Sequence, residues 1–156
     1  MMNEVLDLSM GPAVADFDRG VAEAGAGNWQ AAVRSFALAS RVLDRETPAY
    51  ARVRAWEGLA LVMVGERHGL ALCQEAAALA LLFAEPHECL ARAHIKLGQR
   101  REACAAIGRG LRIDPNHAGL RQLRLRLGVR RTPPLPFLDR DNPLNRVLGR
   151  LTYRRR

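Results

Sequence analysis

His87 and His94 lie seven residues apart, which puts both imidazoles on one helical face, and Cys89 falls between them. Imidazole and thiolate groups bind metals, but a metal site needs three or four converging ligands. Two histidines and a cysteine from one segment fall short of that number. The three cysteines, Cys73, Cys89 and Cys104, are odd in number and form no CxxC pair. They read as buried thiols of a reducing compartment. A Cys–His catalytic pair would meet in space rather than in sequence, and three scattered cysteines do not mark one. No GxxxxGK, GxGxxG after a strand, HExxH or GxSxG occurs. The expectation is no catalytic residue, no metal and no cofactor: the chain is not read as an enzyme, and a small-molecule substrate is not expected.

Charge is the other chemical feature. The net charge is +8, and it is polarised along the chain. Residues 1–90 hold 12 acids and seven arginines, whereas residues 91–156 hold four acids and 17 basic residues. Lys96 is the only lysine. A basic C-terminal third points to an anionic partner or to a solvated surface. The first residues carry neither a basic n-region nor a long apolar run, so they are not read as a signal peptide. The longest apolar run, residues 76–84, has nine residues where a membrane span takes about 20. It reads as part of a core helix, and the chain as cytoplasmic.

The elements that carry these residues are helical. Alanine and leucine supply the apolar content, aromatics make up only 5%, and apolar positions recur at three and four. Gly27-Asn28, Gly65-Glu66 and Gly98-Gln99 each interrupt such a pattern, and Gly65 and Gly98 are 33 apart. Each glycine turn would join two antiparallel helices. Gly20, Gly58 and Ala91 each stand seven residues before a turn glycine. Ala32, Phe36 and Ala39, and again Ala103, Ile107 and Gly110, place a bulky side chain between two small residues at spacings of four and three. In the middle unit Leu70, Gln74 and Ala77 fit that pattern only partly. The third unit closes on Asp114-Pro115.

These three units of about 34 residues resemble tetratricopeptide repeats. The resemblance covers residues 13 to 128. It implies an all-α right-handed superhelix of about three helical hairpins. A C-terminal capping helix follows, carrying Leu120, Leu123 and Leu127 inward, and then a short tail helix. Residues 1–12 are then an N-terminal extension, 13–128 the repeat domain, and 129–156 a Pro-rich linker with a basic amphipathic tail. His87 and His94 fall where the family packs aromatic rings between helices.

The resemblance also implies a concave groove lined by the first helix of each hairpin. Its positions map to Phe17 and Val21, to Arg52, Leu59, Val62 and Met63, and to Arg92, Ile95 and Lys96. Apolar residues edged by Arg and Lys suit a peptide or helix with apolar anchors and an acid. The lysine and asparagine set with which chaperone-binding members clamp a C-terminal carboxylate is absent. Several groove positions, Val62 and Met63 above all, can equally fill the core. The expected function is a non-enzymatic protein-interaction module: an adaptor, a scaffold or a chaperone. In size and layout the chain is similar to the tetratricopeptide chaperones of bacterial type III secretion.

The alternative is a peripheral membrane or nucleic-acid-binding protein acting through its Arg-rich C-terminal tail. Leu144, Val147, Leu148 and Leu151 form an apolar stripe beside Arg146, Arg150, Arg154, Arg155 and Arg156. That stripe packs on the repeats, lies on an anionic membrane surface or docks on an acidic protein face. Nucleic acid is the weaker reading of the arginines, because no row of aromatic platforms interleaves them.

Overall fold

The computed structural model describes residues 11–128 apart from residue 81. A 3-10 turn at Gly11–Ala13 leads into seven α-helices: α1 (Val14–Gly25), α2 (Trp29–Arg41), α3 (Pro48–Met63), α4 (Gly69–Leu79), α5 (Glu85–Lys96), α6 (Arg100–Ile113) and α7 (Ala118–Arg126). No strand occurs among the described residues. The helices pair as hairpins α1–α2, α3–α4 and α5–α6, and α7 packs on α6. Neighbouring hairpins meet through α2 against α3, α3 against α5 and α4 against α5.

The hairpin turns share one construction. Gly27, Gly65 and Gly98 sit at φ of 81°, 101° and 74°, a left-handed region that residues with a Cβ avoid. The N–H of the next residue reaches five residues back to a carbonyl of the preceding helix: Asn28 to Glu23 at 2.8 Å, Glu66 to Leu61 at 2.9 Å, Gln99 to His94 at 2.9 Å. This is the Schellman closure of a helix C-terminus. At the end of the middle hairpin opposite its turn, Thr47 caps α3 by accepting from the Tyr50 N–H at 3.2 Å, and Pro48 fills the first helical position.

Phe36 answers to the small residues around it. It is fully buried, with ring centroids 5.8 Å from Phe17 in the first hairpin and 5.8 Å from Trp56 in the second. A Cβ on Gly20 would come within 2.6 Å of the Phe36 ring, so the glycine makes room for it. Burying such a ring contributes about 1.5–3 kcal/mol. Trp56 packs against both apolar clusters, the one around Phe36 and the one around Leu59, Cys89, Ile107 and Leu120, and so joins the first hairpin to the rest.

Two expectations change. The close approach in the middle hairpin uses Gly69, Cys73 and Ala76, not Leu70, Gln74 and Ala77. Gly69, Cys73 and Ala76 are buried, whereas Gln74 is exposed. A Cβ on Gly58 would meet the Gly69 carbonyl oxygen at 2.6 Å and the Cys73 backbone nitrogen at 2.8 Å. The spacing of four and three is kept, but it starts one residue nearer the turn glycine than in the other two hairpins. The apolar run at residues 76–84 is also not one helix. α4 ends at Leu79, and the remainder connects to α5, whose start is set by Pro86 in its first turn. Leu79 and Leu82 are exposed.

Leu120 and Leu123 of α7 are buried against α6 and α5, and Leu127 is half-buried beside them. Among the described residues no helix is long and apolar enough to cross a membrane.

Candidate functional site

The face shared by α1, α3 and α5 is knitted by charge. The Arg52 guanidinium lies over the Phe17 ring, 4.7 Å from its centroid. Its Nε donates to Glu85 at 2.7 Å, and Trp56 Nε1 donates to the other oxygen of the same carboxylate at 2.7 Å. One arginine thereby joins an aromatic of the first hairpin to a carboxylate of the third. Arg52 and Glu85 are 33 residues apart and hold the same place in successive units, six before Gly58 and six before Ala91. Opposite charges one repeat period apart are the sequence signal for this contact; sequence reasoning missed Glu85 and Trp56.

A second carboxylate fixes the end of the stack. Glu88 pairs with Arg92 and lies 3.5 Å from His117 Nδ1. It is pressed against Gly119 in the first turn of α7, where any side chain would collide with the carboxylate. A negative charge at a helix N-terminus is favourable, and here it seats the capping helix.

These contacts sort the nine expected groove positions. Phe17, Leu59 and Val62 belong to the core, not to a groove: they are 3%, 1% and 1% exposed. Phe17 faces Phe36, and Leu59 and Val62 lie in the cluster built by α3 to α7. Arg52 is mostly covered by Phe17 and Glu85. Val21, Met63, Arg92 and Ile95 are half-buried, and Lys96 is exposed. What is left of the expected groove positions is three half-covered apolar side chains and two cations, and Met63 lines a cleft with Gly27, Trp29 and Arg34 at the first hairpin turn. The expected tail contacts Arg146, Arg150, Arg154, Arg155 and Arg156 lie outside the described residues.

The thiols and imidazoles do not assemble into a reactive group. Burial pushes the Cys73 thiol up to about 12, and its Sγ–H points to the Ala55 carbonyl at 3.5 Å. Cys89 is raised as well, first by burial and then by Cys73, Glu85 and Glu88 nearby. Both are protonated at neutral pH, and the thiol is a poor nucleophile. Burial lowers the His87 imidazole, helped by Arg109 and Arg112, which holds it neutral. His94 shares a 2.7 Å hydrogen bond between Nδ1 and Gln99 Oε1 and so braces the third hairpin turn. Among the described residues no three His, Cys, Asp or Glu side chains converge on a point that would hold a metal.

Glycine-turned hairpins, small-bulky-small interlocks and a polar-faced terminal helix define a helical-repeat stack, and the fold is that of a tetratricopeptide-repeat domain. A solved structure described as the Arabidopsis OM64 TPR domain superimposes with a TM-score of 0.57 at 20% sequence identity, covering 77% of this chain and 97% of that one. Neither a protein-family model nor a curated protein sequence matches the chain.

Proposed function

We propose that this chain is a non-enzymatic protein-interaction module that takes a segment of another protein on the face of α1, α3 and α5. The observation that supports it is what remains of the expected groove positions once the core is subtracted: Val21, Met63, Ile95 and Arg92 half-covered and Lys96 exposed. Half-covered apolar groups supply anchors, and the cations orient an acidic or carboxylate-bearing segment. The structural neighbour is a domain of the same architecture. An adaptor, a scaffold and a chaperone are three uses of this one surface.

The test begins with affinity capture on the full chain and continues by surface plasmon resonance with the protein captured. Met63→Ala should speed dissociation, because it removes an apolar anchor. Lys96→Glu should slow association, because it reverses an exposed charge. Lys96 is the better probe than Arg92, whose partner Glu88 seats α7. If neither change alters binding while charge reversal at Arg150 and Arg154 to Arg156 abolishes it, the basic tail carries the interaction and this proposal fails.

A further inference from the structure

The outer side of α6 and α7 carries a cleft of about 410 Å³, lined by Leu111, Pro115, Arg121, Arg124, Leu125 and Gly128. Leu125 is 81% exposed, the most solvent-facing large apolar residue among those described. Nothing in the repeat stack accounts for it, since the inward stripe of α7 is Leu120, Leu123 and Leu127. Residues 100–128 hold seven arginines against two acids. Arg121 and Arg124 are exposed on the cleft and have no ion pair among the described residues.

We infer that this cleft is a second docking site, for an acidic amphipathic helix of a partner protein. Leu111 and Leu125 would receive its apolar stripe, and Arg121 and Arg124 its carboxylates. Charge decides the occupant. Residues 129–156 of this chain have a leucine stripe of suitable spacing, but they carry eight arginines against two acids and would bring like charge to an arginine-rimmed cleft. A second copy brings its own basic end to the same place. A purely electrostatic ligand such as nucleic acid would leave the leucines unused. An acidic segment with apolar side chains at three and four satisfies both features. The cleft lies on the last helices of the stack and shares no lining residue with the expected groove positions of α1, α3 and α5.

The probe is a fluorescein-labelled synthetic 16-residue peptide of leucine and glutamate, with leucine at i, i+3, i+4 and i+7, titrated into the full chain by fluorescence anisotropy. The control has the same composition in an order that breaks the stripe. Saturable binding of the striped peptide is expected, weakened about tenfold by Leu125→Asp and by the pair Arg121→Glu with Arg124→Glu, and unchanged by Arg67→Glu, an exposed charge reversal outside both sites. All these positions are exposed, and circular dichroism confirms that each variant is folded. Equal binding of the two peptides, or indifference to the cleft variants, overturns the inference. A benzoylphenylalanine photocrosslinker at position 125 then reports the occupant. Crosslinks to the striped peptide support the site; crosslinks to residues 144–151 of the same chain or to a second copy, persisting with peptide in excess, overturn it.

Discussion

Gly58→Ala and Gly108→Ala are the same substitution in the interior of two helices, and they should move stability in opposite directions. Replacing a helical glycine by alanine ordinarily stabilises by about 0.5–1 kcal/mol, because the unfolded chain loses freedom. A Cβ at Gly108 meets nothing within 4 Å, so Gly108→Ala should show that gain in full. A Cβ at Gly58 would stand 2.6 Å from the Gly69 carbonyl oxygen, 2.8 Å from the Cys73 nitrogen and 2.8 Å from the Cys73 sulfur. Comfortable separations are about 3.5 Å or more, so α3 and α4 would have to part by roughly 0.5–1 Å. Two of the three obstacles are backbone, which cannot swing aside, and such overpacking costs about 1–3 kcal/mol. The net expectation for Gly58→Ala is a loss of about 1–2 kcal/mol, or a midpoint lower by roughly 2–8 °C, against a rise of a few degrees for Gly108→Ala. Urea titration followed by far-ultraviolet circular dichroism measures both. A Gly58→Ala protein as stable as the parent would refute the Gly58–Gly69 crossing and with it the register of the middle hairpin.

A double-mutant cycle of Arg52→Ala and Glu85→Ala should give a coupling of about 1–3 kcal/mol, because the pair is largely covered and shares its carboxylate with Trp56; a coupling near zero would reduce it to a surface contact. Stability should fall with acid through His87. Its pKa in the folded chain lies below the unfolded value of about 6.5, so its contribution is complete above that pH and is lost as protonation favours the unfolded state below it. His87→Gln should therefore lose less stability than the parent between pH 7.5 and 5.5, and an equal loss would show that His87 is not the group involved. Native protein treated with Ellman's reagent should release about one equivalent promptly, from half-exposed Cys104, and the other two only on unfolding; three fast thiols would contradict the burial of Cys73 and Cys89.

The first and third hairpins are legible because each writes the crossing in full, as Ala32, Phe36 and Ala39 and as Ala103, Ile107 and Gly110. The middle one is obscured by its turn. Counting five residues from the turn glycine lands on Leu70 and exposed Gln74, whereas the crossing begins four residues on, at Gly69. Glycine-to-glycine spacing from Gly65 to Gly98 hides the slip, since it measures the period and not the phase within a unit. The face of α1, α3 and α5 is readable as a direction but not as a depth. The tetratricopeptide resemblance places Phe17, Leu59 and Val62 near it, yet whether they face solvent depends on Phe36, Trp56 and the helices of the next unit closing over them. Glu85 shows the converse. An exposed-looking acid at the start of a helix becomes a hydrogen-bonded partner only because the stack brings Arg52 and Trp56 to it.

The contact from Phe17 through Arg52 to Glu85 makes the three units non-interchangeable. In an array of equivalent repeats, a unit can be duplicated, deleted or moved, and each junction looks like the last. Here equal places in units two and three hold a cation and an anion. A tandem copy of the second unit would set two guanidinium groups side by side, and a copy of the third would do the same with two carboxylates. Reversing their order would take the cation away from the aromatic ring of the first unit. The array therefore has a spelling: the order of its second and third units is fixed by the junctions themselves, and gene-level duplication of either hairpin would yield a frustrated seam instead of a uniform scaffold.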